Sequence, residues 1–572
     1  MRARRMLGAV ALVAVLVTAA GCGSGSSGGG GGSGSQIKQG GIFTIGTTNY
    51  IDTLNPFNYI EAEAVTAYLE VYPELVQLGP DLTTYEGSYA SSWEHSADYK
   101  TWTYHLHPGA KWSDGKPLTS ADVAWTANTI VKYQSDATAT LASSVNHVTT
   151  VDAPDPNTVV FHYDAPIDPQ LVLSAISSLY ILPQHVWSKY MGNKGKDLKS
   201  FQPETHLPLV SGGPFQITKY DKKGQTVFKP NPGFWGPKPH VDAVALVYYT
   251  NSDSMIADLK SGQIAAVDQV PYTTVNALKT TKGLAIHPYK YGEFTNITWN
   301  SNPRKPQNRE LLNPAVKQAM SECVDRQQII SVIYAGNATL ATPSVLGPLA
   351  PSWQNPTVPM LKYDCAAGNA ALDGLGYKKG ADGIRVVPAT TGKYAQPAHP
   401  MSYQVMVPGS LDFNGNREFS IVQAGFLAAG IKVTEQAGGD SSASYAVETD
   451  GNCDASKSTG YAKFDIALWD WFSYPDPDFM LSVATKGQWC SWSDTGYDNA
   501  AYNALYKQEG TLAGDARKAI VQKMDKIISD AFIYTQLVNE QAISAAQPSW
   551  GGYHPELNGY NFGYMTDPYQ KG

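Results

Sequence analysis

Past residue 20 the sequence has no long apolar run, so no later segment reads as a membrane-spanning helix. There is no basic stripe either. Lys and Arg number 42 against 50 Asp and Glu, for a net charge of −8, and no nucleic-acid surface is expected. Five cysteines include no C-x-x-C pair, which removes the commonest spacing of a structural zinc site. The body contains no H-E-x-x-H, no P-loop and no nucleophile elbow set between a strand and a helix. Gly25-Ser-Ser27-Gly-Gly29 spells the elbow pattern, but in a Gly/Ser run that supplies neither element. No catalytic residue is assigned, and neither a metal nor a cofactor is expected.

What the chain does have is length and aromatic rings. Its 572 residues exceed what one core supports, so two or three lobes are expected. Hydrophobic content of 43% with 16% charge is that of a globular body. Tyr (34) and Trp (13) are abundant, and such side chains pair an apolar body with a polar handle, suiting interlobe surfaces and ligand cages.

The N-terminus sets the compartment. Arg2, Arg4 and Arg5 precede an apolar run from Met6 to about Val17, then Thr18-Ala-Ala-Gly-Cys22. That order describes a secretory signal peptide over residues 1–21, and a run of roughly 12 residues is too short to span a bilayer. Cys after Ala-Gly resembles the bacterial lipobox, with Ala19 where leucine is commoner, so lipidation at Cys22 is expected. Gly23 to Ser35 is only Gly and Ser, a flexible tether with a reach of roughly 20 Å. The protein is thus expected outside the cytoplasm, lipid-anchored to the outer face of the cell membrane. In that oxidising setting Cys323, Cys365, Cys453 and Cys490 can pair in three ways. Proximity in sequence favours Cys323–Cys365 with Cys453–Cys490.

The most informative stretch is Phe464-Asp-Ile-Ala-Leu-Trp-Asp-Trp-Phe-Ser-Tyr-Pro-Asp-Pro-Asp478. Phe464, Ile466 and Leu468 alternate with Asp465, Ala467 and Trp469, a strand period. The run then meets Pro475-Asp476-Pro477, where proline removes a ladder donor and the chain must leave the sheet. Four aromatics and several carboxylates at a strand end suit the wall of a cleft, or an ordinary aromatic-packed turn.

Upstream, Gly41–Ile45 reads as a strand, Asp52–Phe57 as a loop and Ala62–Val76 as a helix. Thr101–His107 alternates as a strand, Ser113-Asp-Gly-Lys-Pro is a turn, and Thr119 or Ser120 can cap a helix running through Thr126. His105 and His107 fall two apart on one strand face, a metal pair in principle and a solvated face by preference. Trp93 through Thr126 resembles the signature of the peptide/nickel class of ABC-transporter solute-binding proteins. The resemblance continues at Ser211-Gly-Gly-Pro-Phe215, Asn231-Pro-Gly-Phe-Trp-Gly236, Ser261-Gly-Gln-Ile264 (without the usual Asp), Asn313–Gly336 and Gly430-Ile-Lys-Val433, in the family's order over about residues 40 to 550.

The resemblance implies an α/β fold of the type II periplasmic-binding kind, two α/β lobes with a crossing hinge and an extra domain beside lobe one. Lobe one would be 36–80 with 205–297 and 530–572, the extra domain 81–204, and lobe two 298–529, with Phe294–Asn300 as a crossing strand. It implies a receptor for a small solute, foremost a di- or oligopeptide, working as a monomer with an ABC permease and ATPase. The same fold could instead hold an oligosaccharide or a metal chelate, or sense a peptide signal without import; a secreted hydrolase is the reading from another class. Peptide-binding relatives hold the ligand amine with an Asp three residues after a Trp. Here Tyr474 follows Trp471, and Phe472 follows Trp469, so that anchor does not carry over, and Asp470 or Asp476 would have to replace it. Expected cleft residues are Trp469, Trp471, Ser473 and Tyr474 with those two acids, Tyr50 and Asn55 from the first loop, and Gly212, Gly213 and Phe215 from the Gly-Pro segment.

Overall fold

The computed structural model describes residues 37–59, 61, 63–134, 137–408, 415–439, 448–451, 453, 460–461, 463–555 and 565–572. The leader, Cys22 and the Gly/Ser tether lie outside them.

An eleven-stranded sheet organises the chain. At its centre the strand Ala285–Trp299 pairs antiparallel with Tyr534–Ala546, and also with Ile466–Phe472. Fifteen residues at about 3.3 Å each carry the first of these through roughly 50 Å, enough to cross from one half of the body to the other. The two ends of the pair sit in different cores. Ile543 and Ala545 pack with Met255, Leu259, Val275 and Leu278. Ile297, Trp299, Leu537 and Val538 pack with Leu311, Val316, Met320 and Phe426. Between them the register breaks on both sides of Phe294, and a Cβ at the adjacent Gly292 would stand 2.7 Å from the Phe472 ring. A glycine there lets the aromatic end of the third strand close on the crossing pair.

Ile466–Phe472 begins two residues after Phe464 and ends before the Pro-Asp-Pro loop. Ile466, Ala467 and Leu468 are all fully buried, so the apparent alternation does not leave one solvated face. The strand pairs in parallel with Ser402–Pro408 on its other side, and a central strand covered on both faces buries successive residues.

A second, four-stranded antiparallel sheet is built from residues 90–163, and the helix Ser120–Tyr133 packs on it. Thr119 caps that helix as expected: its hydroxyl accepts the Ala121 N–H, and Asp122 accepts the Thr119 N–H. The helix outruns the expected Thr126 by seven residues, its apolar face continuing through Ala127 and Ile130. The strand before it stops at Leu106. His105 is exposed near Glu94, while His107 falls past the strand end and stacks on Trp235, so the two do not share a strand face. This segment and the residues Phe43–Val76 share one hydrophobic core.

The helix expected over Ala62–Val76 is Glu63–Val71, because Pro73 cannot continue it. Disulfides join Cys323 to Cys365 and Cys453 to Cys490.

Candidate functional site

A cavity of about 410 Å³ opens where these parts meet. One wall is the end of helix Glu63–Val71 and the chain beyond it, with Glu70, Pro73, Glu74 and Gln77. Tyr85, His107, Phe234 and Trp235 continue that wall, and Leu349, Phe472, Tyr474 and Pro475 face it from the other half of the molecule. The site is therefore mostly aromatic and apolar with a few acids, the usual make-up of a solute pocket.

Of the expected residues, Tyr474 and Gly213 line this cavity. Tyr474 is held edge-on by Phe472 and Phe479 at 5.5 and 5.3 Å. Gly213 is close-packed: a Cβ there would meet the Glu70 carbonyl oxygen at 2.5 Å, and its N–H donates to Val71 O at 3.0 Å. Its freedom serves the approach of the helix end to the Gly-Pro segment. At Gly212 a Cβ would strike Pro73 and Trp112, which is the same packing.

The others are placed elsewhere. Phe215 is fully buried at a strand start, within the core shared by residues 43–76 and 90–201. Asn55 is fully buried: its amide donates to Leu198 O at 2.8 Å and Phe201 O at 2.7 Å while its oxygen accepts the Phe57 N–H. It ties the first loop to residues 198–201. The Tyr50 hydroxyl donates to Glu61 beside a separate shallow hollow. Ser473 is buried, donating to Leu346 O at 2.6 Å and accepting the Leu349 N–H at 3.0 Å. It shapes the loop that carries Tyr474. Trp469 and Trp471 share one face of their strand, and the Trp471 indole donates to Asp494 at 3.2 Å. Neither lines the cavity. Phe472, one residue on and on the opposite face, does. Asp470 stands near Glu418 and Glu540, whose carboxyls burial pushes up to about 8, with Asp470 adding to each.

Asp476 has a cation of its own. Arg517, fully buried, meets it bidentately at 2.6 and 2.8 Å and also reaches Asp168 at 3.2 Å and Glu509 at 2.7 Å. Burial works against that guanidinium, but Asp476, Glu509 and Asp168 outweigh it and hold the charge in place. Asp168 also caps the helix Pro169–Ile176, so the cluster joins the two walls of the cavity from behind.

Glu70 and Glu74 were not singled out from sequence. Burial pushes the Glu70 carboxyl up to about 8, against the pull of the Met565 N–H and with Asp567 adding to the rise. Glu74 is driven well above the carboxylate range by burial first and by Glu70 second. For Glu74 the signal in the sequence is an acid set in the otherwise apolar run Val71-Tyr-Pro-Glu-Leu-Val76.

Among known proteins, the family model described as bacterial extracellular solute-binding proteins, family 5 (middle), matches residues 84–490. A probable D,D-dipeptide-binding periplasmic protein of Escherichia coli is 29% identical over 300 residues, 52% of this chain and 55% of that relative's length. The oligopeptide-binding protein AppA of Bacillus subtilis, solved with a nonapeptide, superposes with a TM-score of 0.75 at 19% identity. It covers 94% of this chain and all of that one. NikA of Brucella suis, solved with Fe(III)-EDTA, gives 0.76 at 18% identity, covering 93% of this chain and all of its own. These two show a shared type II periplasmic-binding fold. The family model spans well over half of the sequence, and the chain belongs to the bacterial extracellular solute-binding proteins of family 5.

Proposed function

We propose that this protein is the solute receptor of an ABC importer, closing its two halves on a small solute, foremost a di- or oligopeptide. The observation that carries the reading is the cavity of about 410 Å³, walled by both halves and set beside the crossing strands. Its size lies in the range of roughly 300–1,000 Å³ common to ligand sites. The peptide-binding names of the relatives support the solute class. In this reading binding shifts an open-to-closed equilibrium through differential contacts, and the closed form is what a permease and ATPase recognise. The chain binds and releases its solute chemically unchanged, acts as a monomer, and is held at the outer face of the membrane by a lipid on Cys22.

Native mass spectrometry of residues 36–572, with small-angle scattering before and after solute removal, tests the reading. Released peptides and an expansion on their removal are expected. A single sugar or chelate would replace the solute class, and identical scattering with and without a bound solute would overturn hinge closure. Replacing Cys22 by Ser should release the full-length protein from membranes; continued membrane association would overturn the anchor.

A further inference from the structure

Midway along the crossing strands the ladder is interrupted. Lys290 pairs with Gln541 and Phe294 with Asn539, so Tyr291, Gly292 and Glu293 stand opposite Glu540 alone. Extra residues on one strand leave the ladder locally unpaired and let the ribbon bend. The break also falls between the two cores, since Val538 packs in one half and Ile543 in the other.

Glu540 is held from both halves at that point. The Tyr272 hydroxyl donates to one of its oxygens at 3.1 Å, and the Tyr334 hydroxyl donates to the other at 3.0 Å. Tyr272 opens the helix Tyr272–Lys279, whose Val275 and Leu278 belong to the first half. Tyr334 packs with Ile329, Ile330 and Ile333 in the second. The two rings meet edge-on at 4.9 Å. Glu418, on the helix Gly415–Ala428 of the second half, reaches the same crossing by accepting the Thr295 hydroxyl at 2.9 Å. Its other oxygen finds no partner among the described residues. Asp470 pairs with Thr295 from the neighbouring strand.

The groups that act on this pair of glutamates are acids and tyrosines. Burial raises Glu540 to about 8, with Glu418 and Asp470 adding and the Tyr334 and Tyr272 hydroxyls opposing. Burial raises Glu418 to about 8 as well, the Thr295 bond opposing and Asp470 adding. Glu293 and Tyr289 act in turn on Tyr272. A second cavity, of about 210 Å³, reaches Glu540 between Tyr272, Tyr291 and Glu293, which gives the cluster a route for proton exchange.

Resting on the receptor reading above, we infer that closure of the two halves takes up protons at this crossing. Glu540 is the latch on which Tyr272 and Tyr334 close, and Glu418 is its partner from the second half. Opening separates the tyrosines, admits water and returns both carboxyls to the ordinary range, where they ionise and repel each other. With values of about 8 when closed and near 4.5 in water, the closed form's advantage is complete below pH 4.5 and gone above about pH 8. Within that window each proton taken up changes the closed-to-open ratio by up to about tenfold per pH unit. The receptor therefore grips in acid and lets go as pH rises.

Small-angle scattering of the solute-free protein from about pH 5 to 9 tests the latch, with circular dichroism at each pH to separate opening from unfolding. The wild type should expand across that range. The double variant Glu418→Gln, Glu540→Gln keeps both groups neutral and should stay compact throughout. Tyr272→Phe removes one hydroxyl from the closed form and should expand at a lower pH than the wild type. An expansion that survives in the double variant would overturn the assignment to these two glutamates. A solute-free size constant with pH, in a protein that is smaller before solute removal than after, would overturn the latch and leave the receptor standing. Identical scattering at every pH, with and without solute, would overturn both.

Discussion

Tyr474-Pro475-Asp476 touches two acidic clusters that differ in whether the chain supplies a cation. Behind the loop, Asp476, Asp168 and Glu509 converge on the buried Arg517, each within 3.2 Å. In front of it, Tyr474 and Pro475 border a cavity where Glu70 and Glu74 have no Lys or Arg among the described residues. The first arrangement has a cation of its own, although Glu509 Oε2 finds no partner among the described residues, and it acts in structure, joining Asp168 of the 90–201 region to the loop and to the helix Gly514–Ala531. The second has no such cation among the described residues, and Glu70 accepts only the Met565 N–H there. Burial and lack of a partner therefore do not by themselves mark a residue that meets solute, since Glu448 is fully buried with both oxygens unpartnered among the described residues and lies outside the cavity lining; the place on the cavity wall is what sets Glu70 and Glu74 apart.

The largest effect should come from removing the cation behind the loop. Arg517→Met leaves Asp168, Asp476 and Glu509 buried without compensation, and loss of one partner from such a cluster costs about 3–5 kcal/mol. Denaturant unfolding should show that loss, and a change below about 1 kcal/mol would erase the contrast. In front of the loop the effect depends on pH. Glu70 has a folded value of about 8, above its unfolded value near 4.5, so it binds its proton more tightly when folded. Its contribution is complete below pH 4.5 and is lost as pH rises to about 8, with a slope of up to about 1.4 kcal/mol per pH unit in that window. Unfolding of the solute-free protein across pH 4.5–8 should therefore be flatter in Glu70→Gln than in wild type. Parallel curves would mean that Glu70 is already ionised and partnered in the cleft.

The contrast also explains what the sequence reveals and what it hides. The Thr119 cap, the strand ending before Pro475 and the break at Pro73 are local, since each depends on φ, on donors and on side chains within a few residues. Which side of Ile466–Phe472 faces the cavity is not local. Trp469 and Trp471 draw attention by size, but strand parity puts Phe472 on the cavity side. Asp476 reads as a free acid until Arg517, 41 positions later in sequence, is brought against it. Asn55 reads as a polar loop residue until residues 198–201 arrive to take its amide. Glu74 carries the opposite signal, a charge in an apolar run, and only the fold shows that this charge stands on the cavity wall.

The smallest effect is expected at the rings, and it tests which face of the strand end meets the solute. Tyr474 lines the cavity and Trp471 does not, although both are aromatic and only three residues apart. Truncating an aromatic that contacts a ligand typically costs at least about 1 kcal/mol, and about 1.4 kcal/mol is tenfold in affinity. Tyr474→Ala should therefore weaken binding of the solute released from the native protein by roughly tenfold, with the Arg517 cluster intact. Trp471→Ala removes the indole that donates to the buried Asp494, so its cost should fall on stability, with affinity changed by less than about threefold at equal folded fraction. If calorimetry returned the reverse order, the solute would lie on the Trp471 side of the strand, and the front cluster would lose its claim to recognition while the rear cluster kept its structural one.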